Sequence, residues 1–280
     1  MQLVYKGSVN RWECDENDHM NVRFYSRKLA EALYAAVTSL GLVKMLTFEE
    51  VIQRLSSQHI KYLREARVAD PLEAYSGVIA NNSVMTEIRN SSTGEVLCTA
   101  LNKLADVDLT IDLALPEHAA PRGLRDPELR FAGISMAEAK EIGFRSIGRG
   151  VIHQDECMSN GCLQIHNYMG RFSDSMPNLW GVLYPEATTE TEGGAVLEYR
   201  MDYTRPLKAG DCYELVSGFR EAGSKTIRFA HLLFDLNSQQ CCVSSESIGV
   251  RMDLVERKAK MISTSMKTSL EKMLIHPRFG

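Results

Sequence analysis

Residues 13–25 of the chain have the sequence ECDENDHMNVRFY, and residues 156–168 have the sequence ECMSNGCLQIHNY, at an offset of 143 residues. Four of the 13 positions are identical, namely Glu13/Glu156, Cys14/Cys157, Asn17/Asn160 and Tyr25/Tyr168. Two more matches follow in the same order: Tyr62, Arg64, Asp70 and Glu73 with Tyr203, Arg205, Asp211 and Glu214 at an offset of 141, and Asp108-Leu109 with Asp253-Leu254 at 145. One short match can arise by chance, but three in one order indicate a duplicated domain.

Each copy has the same predicted order of elements: a short strand, a polar loop, a long helix and consecutive strands. Apolar residues at helical spacing predict helices over 22–40 and 165–183. Alternating patterns predict strands over 3–12, 57–65, 72–88 and 96–105, and then over 148–155, 196–203, 213–222, 225–235 and 241–252. These patterns predict an α+β fold, because an antiparallel meander that curves around the helix would bury the helix's apolar face.

The domain boundaries follow from the repeat. We predict a first domain over 1–106, a linker over 107–147, a second domain over 148–256 and a C-terminal helix in 257–280, where the pattern of 255–275 is that of a surface helix. The linker contains Pro116, Pro121 and Pro127 and a short helical pattern over 135–142.

The composition excludes several classes of protein. Of the 280 residues 44% are apolar and 24% are charged, which is typical of a globular protein and not of a disordered or membrane-spanning one. A net charge of −4 without a basic stripe gives no reason to expect nucleic acid as a partner. Seven cysteines without a CxxC pair, together with no recognisable secretion signal, predict reduced thiols and a cytoplasmic location. The spacing of His153, Cys157, Cys162 and His166 fits no usual zinc site, so we expect no metal and no cofactor.

The loop before the first long helix carries alternating Asp15, Asn17 and His19. A carboxylate, an amide and an imidazole can together activate and orient a water molecule. The structural alternative is that Asp and Asn here only form a turn or a helix cap. The second copy has Met158 and Cys162 at the positions of Asp15 and His19, so it lacks the acid and the imidazole. Because a cap that the fold requires should recur in both copies, this difference favours a single active site in the first copy.

The motif D-x-N-x-H-M-N before a helix resembles that of the hotdog-fold thioesterases of the 4-hydroxybenzoyl-CoA thioesterase-like superfamily. In plan the chain is similar to the plant acyl-ACP thioesterases, which are tandem hotdogs. The resemblance implies two hotdog domains packed as an intrachain pseudo-dimer, with Asp15, Asn17 and His19 as catalytic residues. Residues 61–66, KYLREA, partly match the family's strand E-Y-R-R-E-C, which makes Glu65 a fourth catalytic candidate. Asp18 stands where the acyl-CoA enzymes of the family have glycine.

The predicted reaction is hydrolysis of an acyl thioester without a cofactor. Asp15 would act as nucleophile or as general base on water, and N–H groups of Met20, Asn21 and Val22 at the helix start would bind the substrate's developing oxyanion. We interpret Cys14 as a small buried side chain, and Tyr25 and Tyr168 as residues that pack helix against sheet.

Two other functions stay open at this point. One is a non-catalytic module that binds acyl thioesters, and the other is a hotdog hydratase or dehydratase. The motif of the hydratase families is similar to D-x-x-x-x-H, whereas Asp15 and His19 are only four positions apart. The acidic balance favours acyl-CoA over acyl-ACP as substrate. We expect no membrane partner, and association of such chains into homo-oligomers is a further expectation.

Overall fold

The structure is a computed structural model that describes residues 1–39, 46–79, 82–110, 113–125, 131, 133–183 and 191–275. Its residues group into two compact units, one of residues 1–122 and 158–170 and the other of residues 123–157 and 171–280. Residues 158–170, which contain the second copy of the loop, therefore group with the first unit.

The first unit contains one long helix and a five-stranded antiparallel sheet. Its elements are β1 (Gln2–Ser8), α1 (Val22–Ser39), α2 (Phe48–Gln53), β2 (Leu55–Tyr62), β3 (Pro71–Ile79), β4 (Ser83–Asn90) and β5 (Val96–Leu104). The strand order is β1-β3-β4-β5-β2, and every pairing along it is antiparallel. The meander β3-β4-β5 follows from consecutive apolar strands joined by short turns.

Helix α1 begins where the motif ends. The Asn21 side chain accepts the N–H of Arg23 at 2.9 Å, which satisfies one of the unpaired amides at a helix start. One face of the helix is buried, with Leu29, Leu33 and Ala36 fully inaccessible to solvent. Each buried leucine contributes about 1.5–3 kcal/mol, so this face holds the helix on the sheet.

The second unit repeats this plan. Its elements are α3 (Met136–Glu141), β6 (Arg145–Val151), most of α4 (Ile165–Leu183), β7 (Glu192–Tyr203), β8 (Cys212–Ala222), β9 (Thr226–Asp235), β10 (Gln240–Asp253), β11 (Lys258–Ala259) and α5 (Thr264–Glu271). The strand order is β7-β10-β9-β8-β6, with β11 paired to β10. On α4, Phe172 stacks on Tyr199 with ring centroids 6.3 Å apart, and Trp180 meets the edge of Phe229 at 5.9 Å.

Side-chain contacts recur at the repeat offset and confirm the duplication. The ion pair Lys28–Glu13 at 2.8 Å corresponds to Arg171–Glu156 at 2.5 Å in the second copy. The ion pair Lys6–Glu73 at 2.8 Å likewise corresponds to Arg149–Glu214 at 3.9 Å. Asp70 accepts the N–H of Arg67 at 2.7 Å, and its counterpart Asp211 accepts the N–H of Lys208 at 2.8 Å. The identical residues of the repeat therefore hold the loop and the strand ends in place.

Both long helices match their predicted bounds, although Leu40 lies outside the described residues. The short linker helix is α3, with Ser135 as its N-cap, whereas Pro127 also lies outside the described part. The run predicted over 72–88 divides into β3 and β4, and Asn82 between them has a left-handed φ of 54°. Strand β1 ends at Ser8 rather than at residue 12, because residues 11–13 form a 3₁₀ turn.

The C-terminal helix is shorter than predicted. The Asp253 carboxylate accepts the N–H groups of Val255 and Glu256, both at 2.9 Å, and the turn that they form leads into β11. The helix starts only after Ser263, and Met266 and Leu270 on it are buried, so it is not a purely surface helix. Residues 276–280 lie outside the described residues. In the described part of the chain, no helix combines the length and the apolar character needed to cross a membrane.

Candidate active site

The motif forms a tight hairpin-like turn between the 3₁₀ turn and α1. Cys14 and Met20 pair as an antiparallel bridge, the N–H of Asp15 donates to the carbonyl of His19 at 3.0 Å, and the N–H of Asp18 donates to the carbonyl of Asp15 at 3.1 Å. Asp18 has a left-handed φ of 58°. Asp tolerates this conformation better than most residues do, so the turn forms without glycine at this position.

The second copy forms the same turn without the acid. The N–H of Met158 donates to the carbonyl of Cys162 at 2.8 Å, and the N–H of Gly161 donates to the carbonyl of Met158 at 2.9 Å. Gly161, the counterpart of Asp18, has a φ of 78°. In the first copy Asp15 does contribute locally, since its Oδ1 accepts the N–H of Asn17 at 2.9 Å. Because the turn forms with Met158, however, the backbone does not require a carboxylate at this position.

The imidazole of His19 lies between two carboxylates. Its Nδ1 is 3.2 Å from Asp15 Oδ2, and its Nε2 is 3.8 Å from Glu65 Oε1. The side chains of Asp15 and His19 are 15% and 18% exposed, and that of Glu65 is 32% exposed. Three of the four predicted catalytic side chains thus form one cluster, half-buried but open to water at the Glu65 end.

Backbone contacts position Glu65 beside the motif. His19 and Arg67 pair as an antiparallel bridge, and the N–H of Met20 donates to the carbonyl of Ala66 at 2.8 Å. The segment after β2 therefore runs alongside the motif loop, which explains how residues 46 positions apart in the sequence meet. The fourth candidate, Asn17, is half-buried in the same turn, where its N–H contacts Asp15.

Two of the three amides predicted to bind the substrate are already used. The N–H of Met20 donates to Ala66, and the N–H of Asn21 donates to the carbonyl of Glu13 at 2.8 Å. The third amide of the set is that of Val22, the first residue of α1. The Met20 and Asn21 amides therefore complete the turn, and the oxyanion role predicted for this set of three amides stays a prediction.

Cys14 has a structural contact that its counterpart shares. Its Sγ donates to the carbonyl of Asn10 at 3.7 Å, and the Sγ of Cys157 donates to the carbonyl of His153 at 3.4 Å. Burial raises the pKa of the Cys14 thiol, which disfavours the thiolate that a nucleophile needs. Within the described ranges, no group of three or more His, Cys, Asp and Glu side chains is arranged to hold a metal ion.

The sequence held two further signals that the motif alone did not reveal. At the second offset of 141, Glu65 corresponds to Pro206, so the second copy lacks the third titratable member of the cluster as well. Glu13, which is identical in the two copies, forms a buried ion pair with Lys28, and the two side chains are 5% and 6% exposed. Recurrence of Glu13 with a cation 15 residues later in each copy was the available signal.

Part of the chain matches a known family. Residues 9–122 match the family model of the Thioesterase-like superfamily. A search of curated proteins gives no significant match.

Solved structures show the same fold over most of the chain. A 12:0-ACP thioesterase from Umbellularia californica is 12% identical, with a TM-score of 0.59, covering 88% of this chain and 93% of its own. An acyl-ACP thioesterase from Bacteroides thetaiotaomicron is also 12% identical, with a TM-score of 0.58, covering 88% of this chain and 96% of its own. The predicted fold class, two hotdog domains in tandem, is confirmed. Packing of the two copies as an intrachain pseudo-dimer stays a prediction.

Proposed function

We propose that the chain hydrolyses an acyl thioester at the cluster of Asp15, His19 and Glu65. The observation that carries the proposal is the contrast between the two copies. One backbone turn occurs twice, but the titratable side chains of the cluster occur once, and the second copy has Met158, Cys162 and Pro206 at the positions of Asp15, His19 and Glu65. A polar cluster that the turn does not need and that one copy lacks fits a catalytic role better than a structural one.

In this proposal Asp15 is the general base. Both of its oxygens already accept or face a donor, Asn17 N–H at 2.9 Å and His19 Nδ1 at 3.2 Å, which holds the carboxylate in one orientation. A water molecule attacks the thioester carbonyl carbon and gives its proton to Asp15. The C–S bond then breaks, and the sulfur leaves as a thiolate that takes a proton from the His19–Glu65 end of the cluster or from solvent. An imidazole with a carboxylate on each side can move that proton between them.

The oxyanion of the tetrahedral intermediate needs a donor in this proposal. The N–H of Val22 at the start of α1 supports this role, since the first amides of a helix have no intrahelical acceptor. The positive end of the helix adds to that stabilisation. The neighbouring Met20 and Asn21 would contribute by fixing the position of this amide.

We propose acyl-CoA as the substrate. The chain carries a net charge of −4, which gives no general attraction for an acidic carrier protein. The alternative carrier is acyl carrier protein, which is favoured by the names of the two solved thioesterases with which the chain shares its fold. A non-catalytic binding module and a hotdog hydratase or dehydratase are the remaining alternatives.

The test is release of free thiol from short, medium, long and aromatic acyl-CoAs, and from the same acyl groups on acyl carrier protein. A substrate-free blank corrects for the chain's seven cysteines. Asp15→Asn keeps the acceptor for the Asn17 N–H but removes the base, so we expect kcat to fall by about 10²–10⁴-fold. The matched control is Asp18→Asn, because Asp18 lies in the same turn, is exposed and pairs with Arg11 at 2.9 Å on the protein surface.

Each outcome of this test has a distinct meaning. Loss of hydrolysis in Asp15→Asn and retention within twofold in Asp18→Asn supports the proposal. Binding of acyl-CoA without turnover by the wild type would replace it with the binding-module function. Faster hydrolysis of the acyl-carrier-protein substrates would retain the chemistry and refute the acyl-CoA assignment. Activity that survives in Asp15→Asn would refute the assignment of the site.

A further inference from the structure

Tyr25 on α1 contacts the backbone on both sides of Glu65. Its hydroxyl donates to the carbonyl of Arg64 at 3.3 Å and accepts the N–H of Ala66 at 3.0 Å. The residue between these two contacts is Glu65. Tyr25 is 3% exposed, and its ring meets the edge of Tyr62 with centroids 5.4 Å apart. The hydroxyl thus has both of its hydrogen-bonding functions used on one short segment.

Burial fixes the protonation state of this hydroxyl. It raises the pKa of Tyr25 well above its ordinary value, so the phenol keeps its proton and can donate to Arg64 while it accepts from Ala66. A phenolate could not make the first of these contacts.

The same segment is also tied to the motif loop. The carbonyl of Ala66 accepts the N–H of Met20, which follows His19 in the sequence. Ala66 therefore joins three parts of the site: its N–H is held by α1 through Tyr25, its carbonyl by the loop, and its preceding residue is Glu65. Within this arrangement, Glu65 Oε1 lies 3.8 Å from His19 Nε2.

We propose that Tyr25 is a positioning residue for the reaction, because it holds Glu65 at the distance from His19 that proton transfer requires. The inference rests on the proposed function and deepens it. Packing against Tyr62 is the other contribution of the side chain, and Tyr25→Phe removes the hydroxyl while it keeps the ring.

The duplication supplies a matched control. Tyr168 is the counterpart of Tyr25 and is also 3% exposed, but the residue at the position of Glu65 in that copy is Pro206. Tyr168→Phe therefore measures what loss of a buried tyrosine hydroxyl does to this fold where a proline stands at the position of Glu65. Any effect that Tyr25→Phe has beyond Tyr168→Phe belongs to the site.

The decisive experiment is a double-mutant cycle with Glu65→Gln, measured as kcat and KM for the best substrate of the wild type. We expect Tyr25→Phe to lower kcat about tenfold with KM within twofold, and Tyr168→Phe to leave both within twofold. In the Glu65→Gln background, Tyr25→Phe should lower kcat by no more than twofold, because the group that it positions is already neutral. Hydrogen exchange at the Ala66 amide should be at least tenfold faster in Tyr25→Phe and unchanged in Tyr168→Phe.

The outcomes separate the inference from the proposed function. A wild type that hydrolyses no thioester refutes the proposed function and the inference with it. In an active enzyme, full additivity of Tyr25→Phe and Glu65→Gln, equal losses in the two tyrosine variants, or an unchanged exchange rate at Ala66 would each overturn the inference alone. If Tyr25→Phe does not fold, hydrogen exchange at the Ala66 amide is compared between the wild type and Glu65→Gln. Equal protection of this amide supports anchoring of the segment by Tyr25, and lost protection refutes it.

Discussion

His231 makes the stability of the second unit dependent on pH. The residue is fully buried, its Nδ1 lies 2.5 Å from Ser217 Oγ and its Nε2 lies 3.0 Å from Ser247 Oγ, and the rings of Phe172 and Phe229 are 5.6 and 6.1 Å away. Burial lowers the pKa of His231 to about 3. The folded protein therefore keeps this imidazole neutral at pH values where an unfolded chain protonates it.

The sign and the size of the effect follow from linkage. An unfolded histidine has a pKa of about 6.5, so below that pH the unfolded state binds a proton that the folded state does not. The contribution is fully present above about pH 6.5 and is lost at about 1.36 kcal/mol per unit as the pH falls towards the folded pKa. Between pH 7.5 and pH 5.0 the loss from this one group amounts to about 2 kcal/mol.

The measurement is urea unfolding at these two pH values, followed by fluorescence. The chain has two tryptophans, and Trp12 is 73% exposed, so Trp12→Phe leaves Trp180, which packs on Phe229, as the reporter of the second unit. In this background His231→Gln keeps side-chain hydrogen-bonding capacity but cannot titrate. On acidification, the free energy of unfolding of the protein with His231 should fall by about 2 kcal/mol more than that of the Gln variant. Equal losses in the two proteins would refute the argument.

Two further predictions concern the first unit and the reaction. Lys28→Met should lower the free energy of unfolding by about 3–5 kcal/mol, because it leaves the Glu13 carboxylate buried without its cation. Arg171→Met should cost less, since the side chains of that pair are 16% exposed, and urea unfolding that gives equal costs would contradict the burial argument. If Asp15 is a general base, a single turnover in ¹⁸O-labelled water should place one label in every molecule of product acid. Unlabelled acid from the first turnover would instead indicate attack by the Asp15 carboxylate itself.

The main elements of the fold could be predicted from the sequence because their signals are local. The apolar face of α1 and the alternation in the strands are properties of short windows, and the repeat doubled each of them. Helix α2 was missed although its signal was present: Thr47 and Glu50 form a capping box, with the N–H of Glu50 donating to Thr47 Oγ1 at 3.3 Å. The predicted C-terminal helix was too long because the turn at Asp253 depends on one side chain and not on a periodic pattern.

The site was less predictable from the sequence, for a physical reason. Asp15 and His19 lie in one turn, so their spacing alone suggested that they meet, as they do at 3.2 Å. Glu65 reaches His19 only through backbone pairing between distant segments, which no local pattern encodes. The hydrogen-bond partners of the Met20 and Asn21 amides could not be predicted either, because their acceptors, Ala66 and Glu13, reach them only in the folded loop.

The same backbone turn carries different side chains in the two copies. In the first copy the side chains of Asp15 and His19 are 15% and 18% exposed, whereas in the second Met158 and Cys162 at the same positions are buried, 8% and 4% exposed. An acid introduced at Met158 would have to lose its hydration, at a cost that the half-open first copy avoids. The two copies of one loop therefore differ in side-chain environment: the first keeps polar side chains partly accessible to water, and the second buries apolar ones in the core.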